Sequence, residues 1–274
     1  LDEKETNILE NIEIPLTKVL ARMEQTGVAI DVSYLNELSS YMTEKLAELE
    51  DLIYQLAGES FNINSPKQVA EILFDKLDLK CKKKKKRSTS AEVLEELADE
   101  YEICQYILEH RKFSKLKSTY TDSLPTLISS RDRRIHTTYN QAPTVTGRLS
   151  SSNPNLQNIP IRTEEGNKIR SAFCAEDKQN SLILSADYSQ IELRLLAHVS
   201  GDENLISAFK AGEDVHTVTA SKVYGVALNE VTKEMRRKAK AVNFGIVYGI
   251  SSFGLGENLQ MPAKEAKKYI DKFN

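Results

Sequence analysis

Apolar residues recur at a helical spacing in the first quarter of the chain. Between residues 35 and 56 they stand three or four positions apart, and the series ends just before Gly58. Glycine is a common residue at the C-terminal end of a helix. The apolar positions are Leu35, Leu38, Met42, Leu46, Leu49, Ile53 and Leu56. This pattern predicts one long helix with a single apolar face.

Further helix signals follow, and then the pattern changes. Ser65 to Gln68 combines a capping serine, a first-turn proline and a glutamine three residues later, and Thr89 to Glu92 repeats the capping-box pattern. A third helical pattern runs from about Glu102 to Ser123 and is stopped by Pro125. Residues 135–139 alternate as a strand does. The chain therefore changes from helical to mixed structure after this proline.

Residues 182–184 are three consecutive apolar side chains, which predict a buried strand. The strand breaks at Asp187, and the apolar residues from Ile191 to Leu196 begin a helix. A carboxylate fixed at a strand end suits Mg²⁺, which takes one or two carboxylates together with phosphate oxygens of a substrate. Taken alone, this aspartate or Ser189 is more often the N-cap of the following helix.

Four residues near the end of the sequence repeat at intervals of four: Arg236, Lys240, Phe244 and Tyr248. At about 100° per helical residue they drift by only about 40° per step, so two cations and two aromatic rings share one helix face. Cations suit phosphates, and aromatic rings suit a base or a sugar. This face predicts a nucleoside triphosphate as ligand. The alternative, for an isolated helix, is an amphipathic helix with core aromatics and a solvated basic end.

The overall charge gives no nucleic-acid signature. Lys and Arg number 37 against 40 Asp and Glu, so the formal net charge of the 274 residues is −3. Nucleic-acid binding would therefore depend on local basic groups. Four such groups occur, at residues 80–87, 111–117, 131–134 and 233–240. For the first, which includes Lys82 to Lys86, the alternative is a solvated and mobile charge run.

The composition also restricts the class of protein. With 40% apolar residues, the chain is long enough for one large domain or for two or three small ones. Cys81, Cys104 and Cys174 are odd in number and lack a paired spacing, which indicates a reducing cytoplasm. No apolar stretch has the length of a membrane span, and no signal-peptide pattern occurs near the N-terminus. We expect a cytoplasmic protein without a membrane segment.

Taken together, the motifs resemble the polymerase region of the family A DNA polymerases, the bacterial DNA polymerase I family. The segment Asp187–Arg194 resembles motif A of that family, and Arg236–Gly249 resembles its motif B. Three other segments are also similar to family segments: Thr146–Ser151, Asn153–Pro160 and Gly212–His216. The resemblance runs from near the N-terminus to the end of the sequence, and it is weakest near residues 80–87.

The resemblance implies an α+β fold that is mostly helical, a right-hand polymerase fragment with a helical thumb, part of an antiparallel palm sheet and a helical portion of the fingers. The implied parts are a junction segment or palm base (1–30), the thumb (31–124), a partial palm with motif A (125–200) and partial fingers with motif B (201–274). Family A polymerases carry a second catalytic aspartate in a later His-Asp-Glu segment, which this sequence lacks. The sequence also begins with Leu1, so we expect a piece of a longer polymerase.

The implied activity is template-directed DNA synthesis, in which deoxynucleotides pass from dNTPs to a primer 3′ end by a mechanism with two Mg²⁺ ions. By resemblance, Asp187 and the carbonyl of Tyr188 would hold metal. Lys240 would lie beside the leaving phosphates, and Arg236 and His216 would grip the triphosphate tail. The implied enzyme is a DNA-directed DNA polymerase, a nucleotidyltransferase that serves DNA replication or repair.

The remaining residues carried over by resemblance concern the nucleotide and the DNA. Glu192 matches the steric gate that excludes the ribose 2′ hydroxyl, and Phe244 would pack on the sugar and base of the nucleotide. Tyr248 would close over the templating position, and Gln190 would lie beside the nucleotide near the primer end. Contacts to primer and template would come from Arg148, Asn155, Gln157, Asn158 and Arg194. The expected partners are primer-template DNA and dNTPs, bound by a monomer in the bacterial cytoplasm or nucleoid, or in a phage-infected cell.

Two other functions are alternatives to DNA synthesis. A catalytically inactive fragment that binds primer-template DNA is the alternative for these residues, because one metal-binding aspartate should not support two-metal catalysis. We expect the 274-residue chain to be inactive by itself. A single-subunit RNA polymerase of related architecture is disfavoured by Glu192, since the steric gate selects deoxynucleotides.

Overall fold

The structure is a computed structural model that describes residues 2–80, 87–142, 144–161, 163–175, 180–247, 249, 251–259 and 262–273. The chain forms two compact units, Leu1–Leu184 and Ser185–Asn274. The segments that resemble motif A and motif B, Asp187–Arg194 and Arg236–Gly249, therefore both belong to the second unit. The described residues are mostly helical with small antiparallel sheets, so the predicted α+β fold is confirmed.

The first unit begins with helices α1 (Glu3–Ile8) and α2 (Ile14–Thr26), joined by a π-helical turn (Leu9–Glu13), and continues with the long helix α3 (Val32–Ala57). Asp31 caps α3, because its side chain accepts a hydrogen bond from the Tyr34 backbone at 3.0 Å. Gly58 ends α3 in the left-handed conformation. The long helix predicted from the apolar spacing is confirmed.

The other helical elements of the first unit are α4 (Pro66–Ala70) with a π-helical turn (Glu71–Lys76), α5 (Ala91–Ala98), α6 (Glu102–Leu116) with a π-helical turn (Lys117–Thr121), and a 3₁₀ turn (Leu124–Leu127). α6 packs along α3. One core cluster includes Ile53, Leu94 and Ile107, and another includes Leu35 and Met42. Each fully buried side chain of this size contributes about 1.5 to 3 kcal/mol.

Of the two predicted capping boxes, neither forms completely. Ser65 caps α4 by accepting from the Gln68 backbone at 3.5 Å, while the Gln68 side chain accepts from the Asn62 backbone at 2.7 Å. At the second position a helix does begin, since α5 starts at Ala91, but the capping box is not found: the N-cap is Ser90, which makes no side-chain cap bond. Thr89 is occupied differently: its carbonyl and hydroxyl both accept from the guanidinium of Arg111.

The sheets are two antiparallel pairs. β1 (Ala29–Ile30) pairs with β4 (Phe173–Cys174), and β2 (Thr138–Asn140) pairs with β3 (Ser150–Ser152). Helix α7 (Glu164–Ser171) precedes β4. The strand predicted for residues 135–139 is found in part: its last two residues belong to β2, and Ile135 forms isolated bridges to Val28 and Ile128.

The prediction of a buried strand at residues 182–184 is wrong. Leu182 is 94% exposed and Leu184 is 89% exposed, and the segment has no strand structure. Among the described residues, no strand pairs with this segment. A buried strand needs a neighbour for its backbone groups and a layer to cover its side chains, and sequence spacing reports neither. Asp187 therefore does not stand at a strand end in this structure.

The second unit is helical. Its elements are α8 (Ile191–Ser200), α9 (Glu203–Lys210), α10 (Val215–Tyr224), a 3₁₀ turn (Leu228–Glu230), α11 (Lys233–Val247), α12 (Ser252–Leu259) and α13 (Ala263–Phe273). α10 packs against α11, and α12 against α13. The helix predicted to begin near Ile191 is confirmed. In the part of the chain that the structure describes, no helix has both the length and the apolar character needed to cross a bilayer.

His136 ties the end of α2 to the loop before β2. Its Nδ1 lies 2.6 Å from the Glu24 carbonyl, and its Nε2 lies 3.0 Å from a carboxylate oxygen of Asp132. A carbonyl and an ionised carboxylate only accept, so both ring nitrogens donate and the ring is charged. The Asp132 hydrogen bond first, and the Glu24 carbonyl second, raise the pKa of His136. Hydrogen bonding to His136 in turn lowers the pKa of Asp132.

We therefore expect the chain to lose stability as the pH rises through the folded pKa of His136. A raised folded pKa means that this contribution is fully present below the unfolded pKa and is lost above the folded one. Urea unfolding from about pH 6 to about pH 8 should show a fall of about 1 kcal/mol that is absent in His136→Gln. His198→Gln, on the exposed face of α8, is the control and should keep the fall. The same fall in both variants would contradict the assignment.

Candidate functional site

The carboxylate of Asp214 is the centre of a polar cluster in the second unit. It caps α10, because Oδ1 accepts from the His216 backbone at 3.2 Å and Oδ2 accepts from the Thr217 hydroxyl at 2.9 Å. The Nε of Arg236 donates to the same Oδ2. The side-chain amide of Gln190 reaches Oδ1 at 3.5 Å. One carboxylate therefore joins the start of α10, the basic end of α11 and the residue before α8.

Arg236 and the ionised Asp214 form an ion pair at the centre of this cluster. Burial of Asp214 opposes its ionisation, but hydrogen bonds from Arg236 and Thr217 outweigh burial and lower the pKa of Asp214. The guanidinium of Arg236 is 45% exposed, so one edge is engaged by the carboxylate and the group still reaches solvent. An arginine fork binds phosphate oxygens in the same way as carboxylate oxygens.

His216 lies next to Asp214 and is only 2% exposed. Its Nδ1 is 3.0 Å from the side-chain amide nitrogen of Asn243, which also donates to the Thr219 hydroxyl at 3.2 Å. Burial is the largest cause that lowers the pKa of His216; nearby positive charges also lower it, and Asp214 opposes them. The ring is therefore neutral near pH 7. The expected proximity of His216 and Arg236 is found, through their shared contact with Asp214.

Three of the four residues predicted to share a helix face lie within α11. Arg236 and Lys240 are exposed, and Phe244 follows at the same spacing; its side chain, and Tyr248 as a whole, lie outside the described residues. The neighbouring cations differ in their contacts, since Arg237 pairs with Glu234 in the same helix. The alternative of a wholly solvated basic end therefore fits Arg237 and not Arg236.

Asp187 and Tyr188 lie in an exposed segment before α8, where Tyr188 is 80% exposed. The N-cap of α8 is Gln190, which adopts the left-handed conformation with φ 53°, so neither Asp187 nor Ser189 caps this helix. Glu192 stands in the first helical turn and is half-buried. In the parts of the chain described above, no three acidic, histidine or cysteine side chains are grouped to hold a metal.

The residues at Asp187 nevertheless suit a hard cation. The exposed carboxylate and the neighbouring backbone carbonyl both offer oxygen, and Mg²⁺ in substrate-dependent sites takes one or two carboxylates and completes its shell with water and phosphate oxygens. The position predicted for a metal is thus accessible, although the rigid strand end that was expected to fix it is not found.

Two contacts within the second unit fix the side chain of Arg194. Its Nε donates to the Ser189 carbonyl at 2.9 Å, and its guanidinium lies 4.6 Å from the centre of the Phe209 ring. Stacking of this kind orients the guanidinium plane while leaving its other donors for an acceptor.

The other predicted DNA contacts belong to the first unit. Asn155, Gln157 and Asn158 are exposed on one short segment after β3. The segment is fixed internally: the Asn155 side chain accepts from Ser151 at 3.2 Å, the Gln157 side chain donates to the Leu149 carbonyl at 3.2 Å, and the Asn158 carbonyl accepts from the Tyr120 hydroxyl at 2.7 Å. Arg148 is exposed just before β3. A fixed backbone presents these amides without a large ordering cost.

A cleft of about 870 Å³ lies between the end of α6 and this segment. Its polar lining includes Lys115, Thr119, Asn153, Asn155 and Asn158. In the basic group 111–117, Lys112 pairs with Glu165 at 2.7 Å and Lys117 pairs with Asp122 at 2.8 Å. Arg111 is bound to Thr89, so Lys115 is the cation of this group that is exposed without an ion pair among the described residues. The run Lys82–Lys86 lies outside the described residues.

Two residues of the cluster were not predicted as site residues. Asp214 precedes an apolar helix, so the sequence could have predicted its capping role, but not its contact with Arg236 across 22 positions. Asn243 carries no signal beyond its position before Phe244. Its role depends on burial between α10 and α11, which only the packing reveals.

Comparison with known proteins gives one consistent result. The sequence profile of DNA polymerase family A matches residues 32–274. The chain is 54% identical to DNA polymerase I of Bacillus subtilis over 97% of its own length and 30% of that protein. It is 51% identical to the thermostable DNA polymerase I of Thermus aquaticus, over 97% of this chain and 32% of that protein. The chain thus spans about a third of the length of these curated relatives.

Among solved structures, the chain resembles the POL domain of Pol1 from M. smegmatis in complex with DNA primer-template and dNTP. The TM-score is 0.86 at 41% identity, over 98% of this chain and 48% of that chain.

Proposed function

This chain belongs to DNA polymerase family A, and from that premise we infer that it takes part in template-directed DNA synthesis, the transfer of deoxynucleotides from dNTPs to a primer 3′ end. The observation that carries the proposal is the cluster of Asp214, Arg236 and His216, which presents a guanidinium and a neutral imidazole beside the exposed Lys240. The similar structure from M. smegmatis contains both primer-template DNA and a dNTP.

In this proposal the residues of α11 bind the triphosphate. Arg236 exchanges part of its contact with Asp214 for phosphate oxygens, which it holds through its planar fork. Lys240, one helical turn further, offsets the negative charge that develops on the leaving phosphates and donates a proton to pyrophosphate. His216 donates a hydrogen bond to the same phosphates. Phe244 and Tyr248 bind the sugar, the base and the templating position.

Family A DNA polymerases are metal-dependent, and we propose Mg²⁺ as the ion here. Asp187 and the carbonyl of Tyr188 would hold it, and when bound it activates the primer hydroxyl and stabilises charge on the transferring phosphoryl group. Glu192, in the first turn of α8, excludes a ribose 2′ hydroxyl and so selects deoxynucleotides. Gln190 contributes an amide beside the nucleotide through its contact with Asp214.

The DNA is bound by the exposed amides of the first unit and by local cations. Asn155, Gln157 and Asn158 offer hydrogen bonds to minor-groove acceptors, which differ little among base pairs and so permit any sequence. Arg148 and Arg194 contact the backbone near the growing end. We further propose that residues 31–124 act as the thumb, 125–200 as part of the palm and 201–274 as part of the fingers, in a monomer of the bacterial cytoplasm or nucleoid.

The proposal is tested by binding of a fluorescent primer-template to the chain over a range of salt concentrations. We expect affinity to fall steeply with salt, and Lys115→Ala to reduce the slope of log affinity against log salt by about 0.9, the value for one phosphate contact on duplex DNA. Lys67→Ala is the control, because Lys67 is 86% exposed on α4 and does not line the cleft. The next correct dNTP should tighten the complex. A chain that binds neither DNA nor dNTP would contradict the proposed function.

A second candidate is DNA binding without synthesis. It is favoured by the composition of the site, because Asp187 is the only carboxylate among the residues expected to hold metal. Primer extension by the 274-residue chain with Mg²⁺ and dNTPs separates the two candidates. Extension that Asp187→Ala abolishes would support synthesis by the chain itself. Binding without extension, which we expect of the 274-residue chain alone, would mean that this chain contributes DNA and dNTP binding without completing the reaction.

A further inference from the structure

Asn243 is a fully buried polar residue on α11, facing α10. Its amide nitrogen donates to the Nδ1 of His216 at 3.0 Å and to the hydroxyl of Thr219 at 3.2 Å. A buried asparagine costs stability unless its groups are satisfied, and here both amide hydrogens are directed at named acceptors on the neighbouring helix. The oxygen of the same amide is buried without a partner in the described residues. The amide hydrogen that points at His216 therefore requires a hydrogen-bond acceptor at Nδ1 of the ring.

We propose that Asn243 is a positioning residue that holds His216 as the neutral tautomer with its proton on Nε2, so that the ring donates one hydrogen bond to the triphosphate of the incoming nucleotide. The proposal rests on the proposed function, because it names the triphosphate as the acceptor. Its first step, the tautomer, depends only on the contacts of Asn243.

The tautomer of His216 follows from which atoms of Asn243 and of the ring can donate or accept a hydrogen bond. An amide NH₂ group only donates, so the Nδ1 atom that it faces must carry a lone pair. A neutral imidazole with a lone pair on Nδ1 carries its hydrogen on Nε2. The Thr219 hydroxyl accepts the other amide hydrogen at 3.2 Å, so the amide nitrogen makes both of its hydrogen bonds to α10. The ring nitrogen that donates is thereby chosen by a side chain that is itself fully buried.

The surrounding charges show why a neutral ring is suited to this place. Asp214 lies at the start of α10 and favours a charged ring, whereas Arg236 and Lys240, on the adjoining helix, oppose it together with burial. A third positive charge here would repel both cations before any phosphate arrived. A neutral Nε2 donor supplies a hydrogen bond without that repulsion. Nucleotide binding should then change little with pH near pH 7, because the His216 ring stays neutral there.

The tautomer can be measured on the unaltered chain by nitrogen-15 NMR. The sequence contains four histidines, so the ring signals of a histidine-labelled sample are few, and His216→Gln identifies the pair that belongs to His216. Near pH 7 we expect a protonated Nε2 and an unprotonated Nδ1 for this residue. A ring with its proton on Nδ1, or with protons on both nitrogens, would overturn the proposal, because the amide oxygen would then face the ring.

A variant tests the positioning role. In Asn243→Asp a carboxylate replaces the donor, so His216 should bind a proton on Nδ1, and dNTP affinity should change about 3- to 10-fold between about pH 6 and pH 8. Asn229→Asp makes the same change in charge on an exposed turn and should leave both properties unaltered. If neither the tautomer nor the pH profile changed in Asn243→Asp, the side chain at position 243 would not set the position of the proton on His216, and the proposal would be overturned. The expected tautomer in a chain that binds no dNTP would contradict the proposed function and leave the tautomer standing.

Discussion

Replacing Gly166 with alanine is expected to lower the free energy of unfolding of the first unit by about 2 to 4 kcal/mol. In α7, a Cβ atom at this position would lie 2.6 Å from the Cβ of Pro160 and 2.6 Å from the Pro160 carbonyl oxygen. Both atoms belong to a rigid ring or to the backbone, so no side-chain rotation relieves the contact. The helix or the segment that ends at Pro160 must move.

The expected loss of stability in Gly166→Ala is opposite to the usual effect of this substitution in a helix. Glycine to alanine in a helix interior normally stabilises a protein by about 0.4 to 1 kcal/mol, because it restricts the unfolded chain and favours the helix. A loss at Gly166 therefore measures the close approach of Pro160 and not helix propensity. Asn167→Ala, at the next position of α7, is the control and should change stability by about 0.5 kcal/mol or less. Equal or higher stability of Gly166→Ala in urea unfolding would show that Pro160 yields easily.

The same substitution should weaken primer-template binding. Asn155, Gln157 and Asn158 lie on the segment that Pro160 ends, so a shift at Pro160 displaces the amides that we propose as DNA contacts. The effect should be seen at temperatures where Gly166→Ala is still folded by circular dichroism. This condition separates displaced contacts from unfolded protein.

Features that depend on neighbouring residues could be predicted from the sequence. The spacing of Leu35 to Leu56 predicted α3, and Gly58 predicted its end, because helix geometry and the left-handed cap are set within a few residues. Ser65 was correctly predicted as a cap for the same reason. The presence of Arg236, Lys240 and Phe244 in a single helix also follows from local periodicity.

Features that depend on a distant partner could not be predicted. Residues 182–184 have the composition of a buried strand, yet composition does not say which strand pairs with them. Thr89 has the sequence of a cap, but Arg111, 22 residues away, competes for its oxygens. Asp214 and Asn243 show the same limit in the candidate site, since their roles come from contacts between helices. The sequence thus predicted residues whose chemistry suits a triphosphate, and the structure adds the contacts that position Arg236 and His216.

Arg236→Ala is expected to lower dNTP affinity by about 10- to 100-fold. Hydrogen bonds to charged partners are worth about 1.5 to 3 kcal/mol each, and one such bond corresponds to about this factor. The loss has two causes, because the fork that would hold the phosphates is removed and the anionic Asp214 is left facing the triphosphate without its partner. Arg236→Lys should recover only part of the affinity, since a lysine restores the charge without the planar fork.

The adjacent residue provides a matched control. Arg237 has the same charge, one position further along α11, but it is 62% exposed and its guanidinium bonds to Glu234 at 2.8 and 2.7 Å. Arg237→Ala should therefore change dNTP affinity by about twofold or less. Titration of the chain and its variants with dNTP, in the presence of primer-template DNA, measures each value. Equal losses at Arg236 and Arg237 would mean that only the overall charge of α11 matters.

The double variant Arg236→Ala/Asp214→Asn separates the two causes of the loss. If the uncompensated Asp214 charge repels the triphosphate, neutralising it should recover about 3- to 10-fold of the affinity that Arg236→Ala removes. Asparagine keeps the side-chain oxygen that caps α10, so this change removes the charge without removing the cap. No recovery would show that the guanidinium contact with phosphate accounts for the whole effect. A further loss would instead show that the Asp214 carboxylate positions His216 and Gln190 even without Arg236.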